Sequence, residues 1–270
     1  MNTDDFALAL SIAFLGSTLA MILILAVRRR VSRHFGASTT YALWFTLGLW
    51  FLLPLGALVT THEAGDPDFV LWTASQEVVS DLETEANSIP AARWPSTPIA
   101  SPSLSLIESS RLIWIAGAIF WLASLVLIQI RFHRALLAQA KPASPEIVSL
   151  TEVLSRSIGL KRPVEIRMID RPGCPFVIGL LRQSIILPSS FLRDYTEDEQ
   201  RLALIHELTH IKRHDQWAKC AALVFRALQW PNPVVHFAYK AFCIDQEVNC
   251  DSDVLSGQDH TTYDYAAVIA

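Results

Sequence analysis

The sequence predicts an α+β protein that is mainly helical, with three transmembrane helices and a cytoplasmic domain that contains a small β-sheet. Three observations lead to this prediction: long apolar runs in the first half, short alternating segments typical of strands in the second half, and an H-E-x-x-H helix near the end. The composition agrees, with 51% hydrophobic and 18% charged residues. We therefore expect a membrane region over residues 1–130 and one folded domain over residues 131–270.

The three apolar runs cover about residues 6–27, 42–60 and 112–130. Each run is free of charged residues and has about 19 residues or more, which is long enough to cross a bilayer. The alternative for each is a buried core helix. The first run does not read as a cleavable signal peptide, because acidic residues precede it, its apolar part is too long and arginines follow it.

The distribution of arginine predicts the orientation in the membrane. Basic residues follow the first and third runs, whereas the loop over 61–110 carries eight acids and a single arginine. By the positive-inside rule, the N-terminus and the acidic loop lie outside. The loop that is expected after the first run, and everything after the third run, lie in the cytoplasm. The residues concerned are Arg28, Arg29, Arg30, Arg33, Arg131 and Arg134 on one side, and Glu63, Asp66, Asp68, Glu77, Asp81, Glu83, Glu85 and Glu108, with Arg93, on the other.

The second half reads as a mixture of helices and short strands. Amphipathic spacing predicts a helix over 145–158, and alternation predicts a strand over 164–169. Residues 176–180 and 184–188 read as a β-hairpin, and a long helix is expected from Val234 to about Leu255. For the apolar stretch Gln216–Trp230 two interpretations stay open, a buried helix or a helix that lies against the bilayer.

The pattern His206-Glu207-Leu208-Thr209-His210 carries the chemistry. Positions i and i+4 share one face of a helix, so His206 and His210 can bind one zinc ion, and Glu207 lies where a general base is needed. The alternative is two surface histidines on an ordinary helix. A capping box, Thr196 followed by Glu199, and the apolar residues around the motif favour a helix that packs in the domain.

A catalytic zinc site usually takes a third protein ligand, and Glu247 is the best candidate. Asp251 follows it at i+4, where its carboxylate can accept a hydrogen bond from a ligand histidine. Asp245 is the main competitor of Glu247 for the metal. Asp215 can also orient the zinc helix, although capping or surface charge are alternatives, and for Asp253 a solvated surface position is the better interpretation.

Cysteine and nucleic acid play no part in the predicted function. The four cysteines form no C-x-x-C pair, and in the cytoplasm they are expected to stay reduced, with Cys250 a small buried thiol. No glycine-rich phosphate loop is present, and the net charge of −4 gives no indication of direct nucleic-acid binding.

The combination of these motifs resembles the BlaR/MecR-type antirepressor membrane metalloproteases of bacteria, which are gluzincin-like. The resemblance covers about residues 131–257 and is carried by PFVIG and IILP of the hairpin, HELTHIKRHD, WPNP, and DQE through CD. It implies zinc ligands at His206, His210 and Glu247, with Glu207 as catalytic base. It also implies a multi-pass protein of the inner membrane that cleaves a protein substrate, either a transcriptional repressor or the chain itself, in response to an outside signal.

The chain departs from the sensor members of that family, which continue into an extracellular penicillin-binding domain. Here the sequence ends at Ala270, in what reads as the beginning of a further helix from Tyr263. We therefore expect the chain either to be a fragment or to belong to a member with a different or absent sensor. Two other functions stay open: a housekeeping membrane protease for quality control or prenylated peptides, and a zinc-stabilised signalling scaffold without catalysis. Tyr195, His214, His236, Tyr239 and His260 are available as further hydrogen-bond donors.

Overall fold

The computed structural model describes residues 3–53 and 106–256 of the chain. The helices in this part are α1 (Thr3–Leu43), α2 (46–53), α3 (Leu106–Gln139), α4 (Pro145–Ser157), α5 (Phe191–Asp194), α6 (Glu197–Lys212), α7 (Asp215–Leu228) and α8 (Pro233–Ser256). The strands are β1 (Lys141–Pro142), β2 (Glu165–Ile169), β3 (Phe176–Ile178) and β4 (Ser184–Pro188). One compact unit contains residues 18–47 and 116–256 of these, and the site described below lies in it.

Two helices of the described residues are long and apolar enough to cross a membrane, over Leu8–Leu43 and Glu108–Gln139. Only 22% and 6% of their most apolar windows are buried by the protein, so most of this apolar surface is left for lipid to cover. Both helices are longer than the predicted runs 6–27 and 112–130. The predicted acidic loop and the end of the run 42–60 lie outside the described residues, and the count of three spans stays a prediction.

Helix α1 does not stop at the arginines that follow its apolar run. It continues through Arg28 to Arg30 and Arg33, and it bends at Gly36, whose φ of 86° is outside the helical range. Glycine adopts this left-handed conformation without the Cβ clash that other residues meet. The helix then resumes and ends at Leu43. The sequence predicted a loop here, because charge marks the end of a membrane span but does not by itself interrupt a helix.

The sheet has four strands in the order β1-β2-β4-β3. Strand β2 pairs with β4 in parallel, and the hairpin strands β3 and β4 are antiparallel, with Val177 opposite Ile185. All five residues of β4 are buried, as expected for a strand with neighbours on both edges. Strand β3 forms an edge of the sheet, which leaves one side of its backbone available. The predicted strand and hairpin are confirmed within one or two residues.

The motif helix α6 packs across this sheet as the centre of the domain core. The predicted capping box is present: the Thr196 hydroxyl accepts from the Glu199 backbone amide, and the Glu199 carboxylate accepts from the Thr196 amide. Core residues of α6, α4, the sheet and α8 contact one another; they include Ile147, Leu154, Ile166, Ile185, Leu187, Phe191, Leu202, Leu204, Leu208 and Val254. This burial on both faces fixes the motif helix against the strands and against α8.

Candidate metal centre

The two histidines of the motif lie on one face of α6 and are almost completely buried. Their Nε2 atoms are 3.1 Å apart, and their rings are nearly perpendicular, at 86°. This is the arrangement expected from the i, i+4 spacing, with both imidazoles directed at a common point. Residues Leu204, Leu208 and Ile211 on the remaining surface of the helix are buried in the core, so the helix cannot rotate without exposing them.

Glu247 reaches the same point from α8. Its Oε2 atom lies 3.2 Å from Nε2 of His210 and 3.6 Å from Nε2 of His206. Helix α8, predicted from Val234 to about Leu255, is observed as Pro233–Ser256 and places this side chain 37 positions after His210. The structure therefore brings together the three side chains that the sequence proposed as ligands.

The donor set fits a zinc ion. A zinc ion with four tetrahedral ligands at about 2.0–2.1 Å separates its ligand atoms by about 3.4 Å, and the observed separations are 3.1, 3.2 and 3.6 Å. The opposite nitrogen of each imidazole faces a carboxylate, which can accept a hydrogen bond from it. Both Nε2 atoms and the Glu247 oxygen then converge on one place, which either a shared proton or a metal cation can occupy.

Two further acids orient the histidines. Asp215 Oδ2 lies 2.7 Å from Nδ1 of His210, and Asp251 Oδ1 lies 3.3 Å from Nδ1 of His206. Asp215 is the first residue of α7 and is buried, whereas Asp251 lies one turn after Glu247 on α8 and is partly exposed. Each carboxylate fixes the imidazole tautomer in which Nε2 is free to bind a metal.

The electrostatics of the cluster favour positive charge at its centre. Burial alone would lower the pKa of His210, but its hydrogen bonds, first of all with Asp215, outweigh burial and raise that pKa to about 11. Burial alone would raise the pKa of Glu247, but the hydrogen bonds with His206 and His210 outweigh burial and bring the pKa of this carboxyl far below its usual range. A site that holds protons this tightly also attracts a metal cation, which competes with them for the same atoms.

Glu207 is buried beside the two histidines and lines the same cavity. Burial raises the pKa of its carboxyl, and the positive charge of the neighbouring imidazoles offsets only part of this effect. A carboxylate with a raised pKa is a stronger base than a solvated one, which suits a residue that has to accept a proton.

The cavity in front of these residues has a volume of about 280 Å³. Besides the motif residues, it is lined by Cys174 and the segment Pro175–Val177 at the start of the hairpin, by Gln216 and Lys219 of α7, and by Glu247. Gln216 donates to the Val177 carbonyl at 3.2 Å and so ties α7 to the edge strand. The predicted hairpin thus lies beside the proposed metal position.

Lys219 is the residue of this cavity that sequence reasoning missed. Its Nζ atom lies 3.2 Å from Oε1 of Glu247, the oxygen that does not face the histidines. The only signal in the sequence was a lysine within the apolar stretch 216–230. None of the described donors that the sequence offered lines this cavity. Tyr195 packs on Phe191, His214 is the N-cap residue of α7, and Arg226 donates to His236 and lies over the ring of Tyr239. His260 lies outside the described residues.

Asp245, the proposed competitor of Glu247, is engaged elsewhere. Its two oxygens accept from Arg28 at 2.7 Å and from the Trp44 indole at 2.8 Å, both of which belong to the N-terminal third of the chain. Cys250 is buried as expected, but its sulfur lies within 4.8 Å of the ligand nitrogens of His206 and His210. Asp253 pairs with Arg213 at 2.7 Å on the surface.

The comparison with known proteins identifies the family of this chain. A family model described as BlaR1 peptidase M56 matches residues 7–269. The chain belongs to this M56 family. The resemblance to BlaR/MecR proteins found in the sequence is thereby confirmed, and membership indicates a metallopeptidase.

Relatives within the M56 group are distant. The regulatory protein BlaR1 of Bacillus licheniformis is 26% identical over 165 residues, which is 61% of this chain and 27% of that protein. The methicillin resistance mecR1 protein of Staphylococcus aureus is 22% identical over 256 residues, 91% of this chain and 42% of its own length. The regulatory protein BlaR1 of Staphylococcus aureus is 21% identical over 246 residues, which is 87% of this chain and 40% of that protein. The chain thus spans well under half the length of these relatives.

Proposed function

We propose that this protein is a zinc metalloendopeptidase of the bacterial inner membrane, which cleaves a peptide bond at the cytoplasmic side as part of signal transduction. One observation carries the proposal: the Nε2 atoms of His206 and His210 and Oε2 of Glu247 converge beside the buried carboxylate of Glu207. A structural zinc site would need four protein ligands and no base. The Cys250 thiol near the histidines donates to the His206 carbonyl at 3.6 Å, so in this proposal the site offers three ligands, a base and an open cavity.

In this proposal His206, His210 and Glu247 hold the metal, while Asp215 and Asp251 fix the two imidazole tautomers. When bound, zinc acts as a Lewis acid that polarises the substrate carbonyl and makes water a better nucleophile. Glu207 accepts the proton of the attacking water and delivers it to the leaving amine. Lys219 keeps Glu247 ionised and adds a positive charge to the wall of the cavity.

The edge strand β3 supports a peptide as the substrate. Strand β3 lines the cavity and pairs with β4 on one side only. An extended segment that replaces the Gln216 amide at the Val177 carbonyl can therefore add to this edge by main-chain hydrogen bonds. This mode of binding places a backbone carbonyl, rather than a particular side chain, next to the metal position. It suits a protein substrate, which in this role is either a repressor of transcription or the chain itself.

Three membrane spans with an outside N-terminus complete the proposal. The apolar helices α1 and α3, the arginines after each apolar run and the matched relatives, named as regulatory and methicillin resistance proteins, support a membrane protein that signals inward. Cleavage of a repressor is the outcome that best fits this arrangement.

The Glu207→Gln variant tests the catalytic role. It removes the base but leaves the ligands, so we expect the same zinc content as in the wild-type protein and a loss of cleavage by about 10²-fold or more. Cleavage is measured with fluorescein-labelled casein and from fragments of the chain itself, and zinc by atomic emission. Glu197→Gln, the same change in the exposed first turn of α6, is the matched control and should retain full activity.

Two results would contradict the proposal. Full cleavage by Glu207→Gln with zinc bound would remove Glu207 from the mechanism, and unchanged zinc in His206→Ala would refute the ligand assignment. A protein that binds zinc, cleaves nothing and still signals with Glu207→Gln would be a scaffold. Cleavage of prenylated or misfolded membrane proteins with no effect on a repressor would indicate a housekeeping protease.

A further inference from the structure

We infer that α7 and α8 form a further membrane-inserted element in addition to the spanning helices. They make a re-entrant hairpin, whose tip at 229–232 lies near the middle of the bilayer in contact with lipid chains. The inference rests on the proposed membrane placement of α1 and α3. It revises the expectation that everything after Arg131 is in the cytoplasm.

The tip of the hairpin contacts the central parts of both apolar helices. Asn232 donates to the Thr18 hydroxyl at 2.8 Å, and the Trp230 indole lies so close to Gly117 that a Cβ at this position would overlap it. Thr18 lies ten residues before Arg28, and Gly117 fourteen residues before Arg131. At a rise of 1.5 Å per residue, Thr18 lies about 15 Å from Arg28 along α1, and Gly117 lies about 21 Å from Arg131 along α3. Because the hydrocarbon core is about 30 Å thick, both positions lie well inside it.

Helix α8 then runs beside α1 from this depth back to the arginines. Met21 and Ile24 of α1 are buried with Val235 and Ala238 of α8 in one apolar cluster. At the far end Arg28 pairs with Asp245, thirteen residues after Asn232. The two helices therefore share one contact line from the middle of the apolar run to its charged end.

The polar groups of the hairpin are satisfied in the way that a lipid environment requires. Arg226 donates to Nδ1 of His236 at 2.9 Å, and its guanidinium lies 5.2 Å from the ring centres of both Trp121 and Tyr239. No acidic residue occurs between Asp215 and Asp245 in the sequence. Paired or ring-stacked cations facing other helices are the form in which ionisable residues occur at membrane depth.

The outward face of the hairpin is apolar. Phe237, Ile244 and Val248 are exposed on α8, and Trp217 and Val224 are exposed on α7. In water this would be an unusual concentration of exposed apolar side chains, whereas lipid covers them at no cost. Lys240 is also exposed on α8, and its long side chain can extend toward the headgroups.

This placement positions the metal centre at the membrane surface. Glu247 lies two residues beyond Asp245, which marks the level of Arg28, and Lys219 reaches Glu247 from α7. The bond cut by the proposed enzyme must then lie in a segment that can approach the lipid headgroups. A membrane-proximal stretch of a substrate fits this requirement better than the interior of a soluble domain.

The test is thiol accessibility in the full chain, reconstituted in nanodiscs of phosphatidylethanolamine and phosphatidylglycerol. The four native cysteines, Cys174, Cys220, Cys243 and Cys250, are first replaced by alanine, and retained zinc shows that the fold survives. Val224→Cys or Phe237→Cys is then introduced and reacted with a water-soluble maleimide. Maleimide needs the thiolate, which hydrocarbon excludes, so we expect both positions to react at least about tenfold more slowly than an aqueous control.

Two controls of matched exposure make the result decisive. Phe237 is 65% exposed, Val153 on α4 is 62% exposed and Leu19 within α1 is 69% exposed. Val153→Cys should react rapidly and Leu19→Cys slowly. Rapid reaction of Phe237→Cys beside a protected Leu19→Cys would overturn the hairpin and leave the spanning helices intact, whereas rapid reaction of Leu19→Cys would overturn the membrane placement itself. A bimane label on Phe237→Cys should also be quenched by lipids brominated in their acyl chains, and an unquenched label would likewise refute the insertion.

Discussion

Replacing Asp215 by asparagine tests how the metal centre is preorganised. Asp215 Oδ2 is 2.7 Å from Nδ1 of His210, and only 2% of its side chain is exposed. Asparagine keeps the shape of the side chain, but its neutral amide oxygen accepts only a weak hydrogen bond from Nδ1–H of His210. The amide can also turn its NH₂ group toward Nδ1 instead. Loss of such a carboxylate typically weakens metal binding by about 10–100-fold. Because this contact is short and buried, we expect Asp215→Asn to weaken zinc binding by about 100-fold, which corresponds to about 2.7 kcal/mol.

The same change at two other acids calibrates the result. Asp251 is 3.3 Å from His206 and 33% exposed, so solvent screens the contact and Asp251→Asn should cost only about tenfold. Asp253→Asn is the matched control. Asp215 and Asp253 both pair with Arg213, at 3.5 and 2.7 Å, but Asp253 contacts neither histidine. Zinc affinity is measured on the purified full chain by competition with a chromophoric chelator. If Asp215→Asn and Asp253→Asn bind zinc with equal affinity, Asp215 does not orient His210.

Two further perturbations test the packing around the site. Leu208→Ala removes a fully buried side chain on the core-facing surface of α6 and should lower the free energy of unfolding by about 3–5 kcal/mol in a denaturant titration. Leu181→Ala, at an exposed position, should change it little, and equal effects would contradict the assigned core. Asp245→Ala leaves Arg28 without its carboxylate and should destabilise the chain by about 3–5 kcal/mol, measured as a lower thermal midpoint in detergent. Adding Arg28→Met should recover part of that loss, and no recovery would show that the ion pair is not the cause.

The sequence predicted the parts of this molecule that local rules determine. The capping box at Thr196, the hairpin and the long helix around Glu247 follow from propensity, alternation and helix-end residues, and all are observed. The i, i+4 rule likewise anticipated the approach of His206 to His210. The convergence of Glu247 with them depends on how α6 packs on α8, so the sequence could name this residue only by its distance along the chain and by resemblance.

Long-range contacts were beyond the reach of local rules. Asp245 was a plausible ligand by position, and only the fold shows that Arg28 and Trp44, about two hundred residues earlier, occupy its carboxylate. Lys219 looked like an interruption of an apolar stretch, because nothing near it in the sequence indicates that it faces Glu247. The helical course of α1 beyond its arginines was missed for a related reason: contacts with α8, rather than hydropathy, hold that segment in place.

The bend at Gly36 has a mechanical consequence for the metal centre. Arg28 lies before the bend and Trp44 after it, and both donate to the single carboxylate of Asp245. If the angle between the two arms of α1 changed, one donor would have to release this carboxylate or α8 would have to follow. Because Glu247 is two residues further along the same helix, we expect a change in the bend of α1 to move the Glu247 carboxylate relative to His206 and His210.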